Sequence, residues 1–99
     1  MQELTRIAAC RQGPAGGAAV WGSERNGHLD YTSQNSQRGD WSEWKHFSRY
    51  LDGPPVTTIA ATQQKNGLVR VWVVELQSFQ LWTIAQTPNG SWGQWENWP

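Results

Sequence analysis

The sequence predicts an all-β chain made of two copies of one four-stranded element. Three observations carry that prediction. First, the chain nearly repeats itself: Leu4-Thr5-Arg6-Ile7-Ala8-Ala9-Cys10-Arg11-Gln12 aligns with Val56-Thr57-Thr58-Ile59-Ala60-Ala61-Thr62-Gln63-Gln64. Second, turn-forming dipeptides cut each copy into short apolar or alternating segments. Third, no stretch has the 3.6-residue apolar period of an amphipathic helix.

The alignment runs the length of the chain. Ala19-Val20-Trp21 matches Arg70-Val71-Trp72, and His28-Leu29-Asp30-Tyr31-Thr32-Ser33-Gln34 matches Gln80-Leu81-Trp82-Thr83-Ile84-Ala85-Gln86. Trp41-Ser42-Glu43-Trp44-Lys45-His46-Phe47 matches Trp92-Gly93-Gln94-Trp95-Glu96-Asn97-Trp98. Ile7 and Ile59 are 52 positions apart and Trp41 and Trp92 are 51 apart, so the spacing barely drifts. A segment of form Gly-x-Trp-x-x-Trp closes each copy, at Gly39–Trp44 and Gly90–Trp95.

Each copy divides into four strands. The first covers about 5–10 and 57–62, the second about 18–24 and 68–75. The third covers about 28–34 and 80–86, and the fourth about 43–47 and 94–98. The breaks between them are Gly13–Gly17, Asn26-Gly27, Arg38-Gly39-Asp40, Lys65-Asn66-Gly67 and Pro88-Asn89-Gly90. Leu68–Val74 is β-branched and nearly continuous in apolar character, which predicts a central strand covered on both faces. The chain thus reads as one domain, 1–99, with repeats over about 4–47 and 56–98 and a linker at 48–55.

Composition narrows the function. Eight tryptophans stand in 99 residues of otherwise polar sequence, with mean hydropathy -0.69. Each indole can bury roughly 150–250 Å², so these rings must supply much of the core. The formal net charge is zero and the basic residues are scattered, which argues against a nucleic-acid partner. No apolar run approaches the roughly 20 residues a membrane helix needs. The N-terminus carries Glu3, Arg6 and Arg11 without an apolar signal segment, which fits a cytoplasmic protein or export by a non-classical route. Cys10 is the single cysteine and reads as a small buried residue.

Four strands repeating near 50 residues is the pattern of β-propeller blades. The small Ala8-Ala9 and Ala60-Ala61 suit the crowded axis, and the wide indoles suit the diverging periphery. Two blades cannot close a ring. The expectation is therefore a complete propeller formed by head-to-tail homo-oligomerisation, with three or four chains favoured. Trp98 and Pro99 are expected at the outer edge or at a contact between subunits.

The stretch Asn66–Val73, Gln80–Thr87 and Pro88-Asn89-Gly90-Ser91-Trp92-Gly93-Gln94-Trp95-Glu96 resembles the repeat of bacterial seven-bladed propeller lectins of the Photorhabdus type. The likeness covers nearly all of the second repeat. The first departs from it, with Leu29-Asp30-Tyr31 in place of a Leu-Trp-His pattern and no Pro-Asn-Gly. The resemblance implies carbohydrate binding, often of fucose or O-methylated sugars, in pockets between adjacent blades.

The residues suit that role on chemical grounds. An indole stacks on the C–H face of a pyranose while polar side chains bond its hydroxyls. The candidates in the second repeat are Trp82, Trp92 and Trp95 with Gln86, Asn89, Gln94 and Arg70. Those in the first are Tyr31, Trp41 and Trp44 with Gln34, beside Asp40 and Glu43. Trp21 and Trp72, inside the second strands, read as structural. Catalysis has little support, because no carboxylate pair recurs in both repeats and no nucleophile motif is present. No cofactor is implied. A metal site is not expected, since His28 and His46 lie in different strands and their counterparts are Gln80 and Asn97. The predicted function is a multivalent lectin for glycans. The alternative is a non-catalytic interaction scaffold, including one engineered or cut from a longer propeller.

Overall fold

A computed structural model of the chain describes residues 3–12, 17–35, 37–47 and 55–98. Most of the expected turn at Gly13–Gly17, most of the linker Ser48–Pro55, and Pro99 lie outside the described residues.

The described chain is all-β. It forms two four-stranded antiparallel sheets, and no helix occurs among the described residues. The first sheet holds β1 (Leu4–Arg11), β2 (Ala18–Glu24), β3 (Leu29–Ser33) and β4 (Lys45–His46) in sequence order. The second holds β5 (Val56–Gln63), β6 (Val69–Glu75), β7 (Leu81–Ala85) and β8 (Glu96–Trp98), also in order. The registers repeat. Trp21 pairs with Ala8 and Tyr31, and Trp72 with Ala60 and Thr83. Both first strands carry an irregularity at the same place, Leu4/Arg6 and Val56/Thr58.

Local chemistry explains the meanders. At the β2–β3 turn, the Asn26 side chain accepts the His28 N–H at 3.0 Å, and Gly27 takes φ +94°. Asn66 accepts the Leu68 N–H in the same way, also at 3.0 Å. Such Asx-Gly turns reverse the chain at little steric cost. The fourth strands are shorter than expected. Trp41 and Trp92 each form a single bridge, to Gln34 and Gln86, and the next three residues lie outside the strands before regular pairing resumes at Lys45 and Glu96.

The two sheets pack against each other around one apolar cluster. The first sheet contributes Ala19, Trp21, Leu29 and Phe47; the second contributes Val56, Val69, Val71, Val73 and Ile84. A main-chain bond links the sheets, Val56 N donating to Gly27 O at 2.7 Å. Strand β6 departs from expectation. Val69, Val71 and Val73 are buried, while Arg70, Trp72 and Val74 are only half-buried. The first set faces the neighbouring sheet; nothing within the described chain covers the second set to the same degree. The first sheet has a matching uncovered side, where Ile7 is 68% exposed.

Candidate functional site

Alternation along each strand sorts the candidate residues onto faces. Trp21 and its cross-strand partner Tyr31 share the inner face of the first sheet, with rings stacked at 6.4 Å. Phe47 closes this group edge-on, 6.1 Å from Trp21 and 5.1 Å from Tyr31. Into it come two rings of the second sheet. Trp92 lies 5.0 Å from Phe47 and 6.0 Å from Trp21, and Trp95 lies 6.1 Å from Phe47, all edge to face. Trp92, Trp95 and Tyr31 are thus held in the seam between sheets. The indole nitrogens of Trp21 and Trp95 are buried there without a hydrogen-bond partner among the described residues.

The counterparts of these rings lie on the two outer faces. Trp41 and Trp44 correspond to Trp92 and Trp95, and they are 49% and 38% exposed. Trp72 and Trp98 correspond to Trp21 and Phe47. Their rings meet edge to face at 5.2 Å, and Trp98 is 50% exposed. The receiving pair and the inserting pair of the internal seam therefore each recur by sequence position, with Trp41, Trp44 and Trp98 exposed and Trp72 half-buried.

Beside Trp41 lies a surface hollow of about 280 Å³, lined by Ser33, Gln34, Asn35, Arg38, Asp40, Trp41 and Ser42. That is near the lower end of ligand pockets, roughly 300–1,000 Å³. Its walls are fixed by main-chain contacts. Gln34 Oε1 accepts the Ala18 N–H at 3.3 Å, and its Nε2 donates to Gly39 O at 3.1 Å. Asn35 Oδ1 accepts the N–H groups of Gln37 and Arg38, both at 3.0 Å. Arg38 and Asp40 form an exposed ion pair at 3.5 Å. The hollow thus joins one broad ring to an amide and a charged rim. Such a surface offers stacking and several hydrogen bonds to a small polyhydroxylated ligand.

The remaining candidates are distributed differently. Gln86 repeats the Gln34 arrangement, accepting the Val69 N–H at 3.4 Å, but its bridge partner Trp92 is taken up by the seam. Trp82 is half-buried and its Nε1 donates to Glu75 Oε2 at 2.8 Å. Asn89 organises its own turn, accepting the Ser91 N–H at 3.1 Å. Gln94 is exposed. Arg70 does not join the group around Trp82, because the register Arg70↔Ala85 and Val73↔Trp82 sets them on opposite faces. Its Nε donates to Gln64 at 3.1 Å and its Nη1 to Thr83 Oγ1 at 3.0 Å, with the guanidinium 5.7 Å from the Trp72 ring.

Sequence reasoning set one constellation aside. His46 pairs across strands with Asp30, and its Nδ1 lies 2.8 Å from Asp30 Oδ1 and 3.8 Å from Glu24 Oε2. Both carboxyls are buried, at 4% exposure for Glu24 and 1% for Asp30. Hydrogen bonding to Asp30, burial and the Asp30 charge together hold the Glu24 carboxyl above the usual range, opposed by His46. One ligand atom from each of the three residues lies within 4.8 Å of the others, so they are placed to hold a cation. The signal was available as register: positions 24, 30 and 46 fall side by side once the strands are paired.

Comparison with known proteins gives no match, either to a described protein family or to a curated protein sequence.

Proposed function

We propose that the protein is a multivalent carbohydrate-binding lectin whose two sheets act as propeller blades and whose copies join head to tail into a closed ring. The observation that carries this reading is the hollow beside Trp41, with an aromatic floor, a rim of Gln34, Arg38 and Asp40, and a position at the uncovered edge of a blade. In the second repeat Trp92, the counterpart of Trp41, lies against the neighbouring sheet. In the proposed ring Trp41 inserts against Trp72 and Trp98 of a second copy, as Trp92 does against Trp21 and Phe47, so a sugar would meet the part of the hollow that this contact leaves open, the rim of Gln34, Arg38 and Asp40.

The resemblance of the second repeat to propeller lectins adds fucose and O-methylated sugars as the first ligands to try. A single exposed site of this kind binds weakly, since it exchanges hydrogen bonds to water for hydrogen bonds to protein. Several sites around one ring multiply the avidity for a glycan-coated surface.

The test is glycan-array binding followed by titration of the best monosaccharide. Asp40→Asn keeps the shape of the rim but removes its charge, and lowers affinity about tenfold with oligomer mass unchanged, since a charged hydrogen bond contributes about 1.5–3 kcal/mol. Absence of any saturable sugar binding by the unaltered protein counts against the lectin and leaves the interaction scaffold.

A further inference from the structure

The cluster formed by Glu24, Asp30 and His46 stands apart from the hollow and from the aromatic seam, and nothing in the lectin reading uses it. We propose that these three side chains form a binding site for a divalent transition-metal cation of the zinc class.

Two independent observations point to a ligand. Among the described residues, Glu24 Oε2 and Asp30 Oδ2 are buried and have no hydrogen-bond partner, although both residues are more than nine-tenths buried. Glu24 Oε2 is directed toward His46 Nδ1, 3.8 Å away. Two buried carboxylates with orphaned oxygens are costly to leave uncompensated. The second observation is internal. The corresponding positions of the second sheet are Glu75, Trp82 and Asn97, by the pairings Val73↔Trp82 and Trp82↔Asn97. There the acid is satisfied within the protein, by the Trp82 indole N–H at 2.8 Å. The first sheet keeps the acid, replaces the indole by a second carboxylate, and adds an imidazole. It has exchanged a closed hydrogen bond for three metal-ligating groups.

The geometry and donor chemistry select the ion class. Zinc bound to nitrogen and oxygen at about 2.0–2.1 Å in a tetrahedron sets its ligands about 3.3–3.4 Å apart. The observed separations of 2.8 and 3.8 Å to His46 Nδ1 bracket that spacing. One imidazole with two carboxylates suits zinc and its neighbours, whereas calcium takes six to eight oxygens. His46 is half exposed, so water can complete the coordination from the solvent side. Binding replaces the His46–Asp30 hydrogen bond.

The test uses the whole chain, freed of metal by a chelator, and titrates it with Zn²⁺ by calorimetry and with Co²⁺ by visible absorption. One ion per chain is expected, with a midpoint of thermal unfolding that rises with Zn²⁺ concentration. His46→Asn installs the residue found at the equivalent place in the second sheet, at a half-exposed position. It lowers affinity at least about tenfold and abolishes the Co²⁺ spectrum while the β-sheet circular dichroism stays unchanged, a ligand loss being at least as severe as loss of an outer-shell partner. Asp30→Asn does the same, and Glu96→Gln, an exposed carboxylate on β8, retains full binding. No saturable Zn²⁺ uptake by the unaltered protein overturns the site, as does uptake that survives His46→Asn. Both readouts are independent of sugar, so the proposal can fail while the lectin stands, and the reverse.

Discussion

The tryptophans divide by environment rather than by motif. Trp92 and Trp41 occupy equivalent positions, yet one is inserted among Trp21 and Phe47 while the other is half exposed. Truncation therefore has opposite signatures. Trp92→Ala opens a cavity in the seam and costs about 3–5 kcal/mol, read as a large fall in the denaturation midpoint. Trp41→Ala changes the unfolding of the single chain little but removes a ring that lines the hollow and belongs to the proposed contact between copies, so sugar affinity falls about tenfold or more and the oligomer mass falls with it. Cys10 supplies a chemical check. Burial raises its thiol above the ordinary 9.0, so less thiolate is present at any given pH. Alkylation at neutral pH is accordingly several-fold slower than for a small free thiol, and equalises on denaturation. The sequence made the aromatic set and the Gln34/Gln86 equivalence legible, because both rest on repeated residues. It did not separate exposed from inserted rings, because that depends on which side of each repeat has a neighbour within the same chain. The Glu24–Asp30–His46 cluster escaped for a related reason: its members are 6 and 16 residues apart and meet only through strand register.

At the scale of the element, each sheet was readable from its turns and alternation. The strand assignments hold for all eight, and the fourth strands shorten because Trp41 and Trp92 bridge singly before the chain leaves the ladder. The β2–β3 turn shows how local and tertiary demands coincide. Gly27 has φ +94°, and a Cβ there would come within 2.8 Å of Pro55 Cβ, at the start of the second sheet. Gly27→Ala carries the left-handed penalty of about 1–2 kcal/mol and in addition crowds this junction. The expected outcome is a drop of several degrees in the unfolding midpoint with the strand content retained. Apolar continuity at Leu68–Val74 predicted cover on both faces of β6, whereas only the valine face is fully buried.

For the whole molecule, the main organising fact is one seam between two similar sheets. The internal seam joins a receiving group, Trp21 with Phe47, to an inserting pair, Trp92 with Trp95. The outer faces offer Trp72 with Trp98 and Trp41 with Trp44, the same two surfaces without each other. Surfaces that are complementary but not self-complementary join head to tail, and such contacts close into a ring when the rotation per copy allows it. In the proposed ring, Trp98→Lys would place a charge in the receiving face at a half-exposed residue, with the expected outcome that each chain stays folded and the mass in solution falls to that of one chain. The most direct measurement is the mass of the unaltered protein in solution by light scattering, across a micromolar concentration series. The account predicts a single species of three or four chains of 11.2 kDa each, insensitive to dilution over that range. A stable 11.2 kDa particle at every concentration would contradict it.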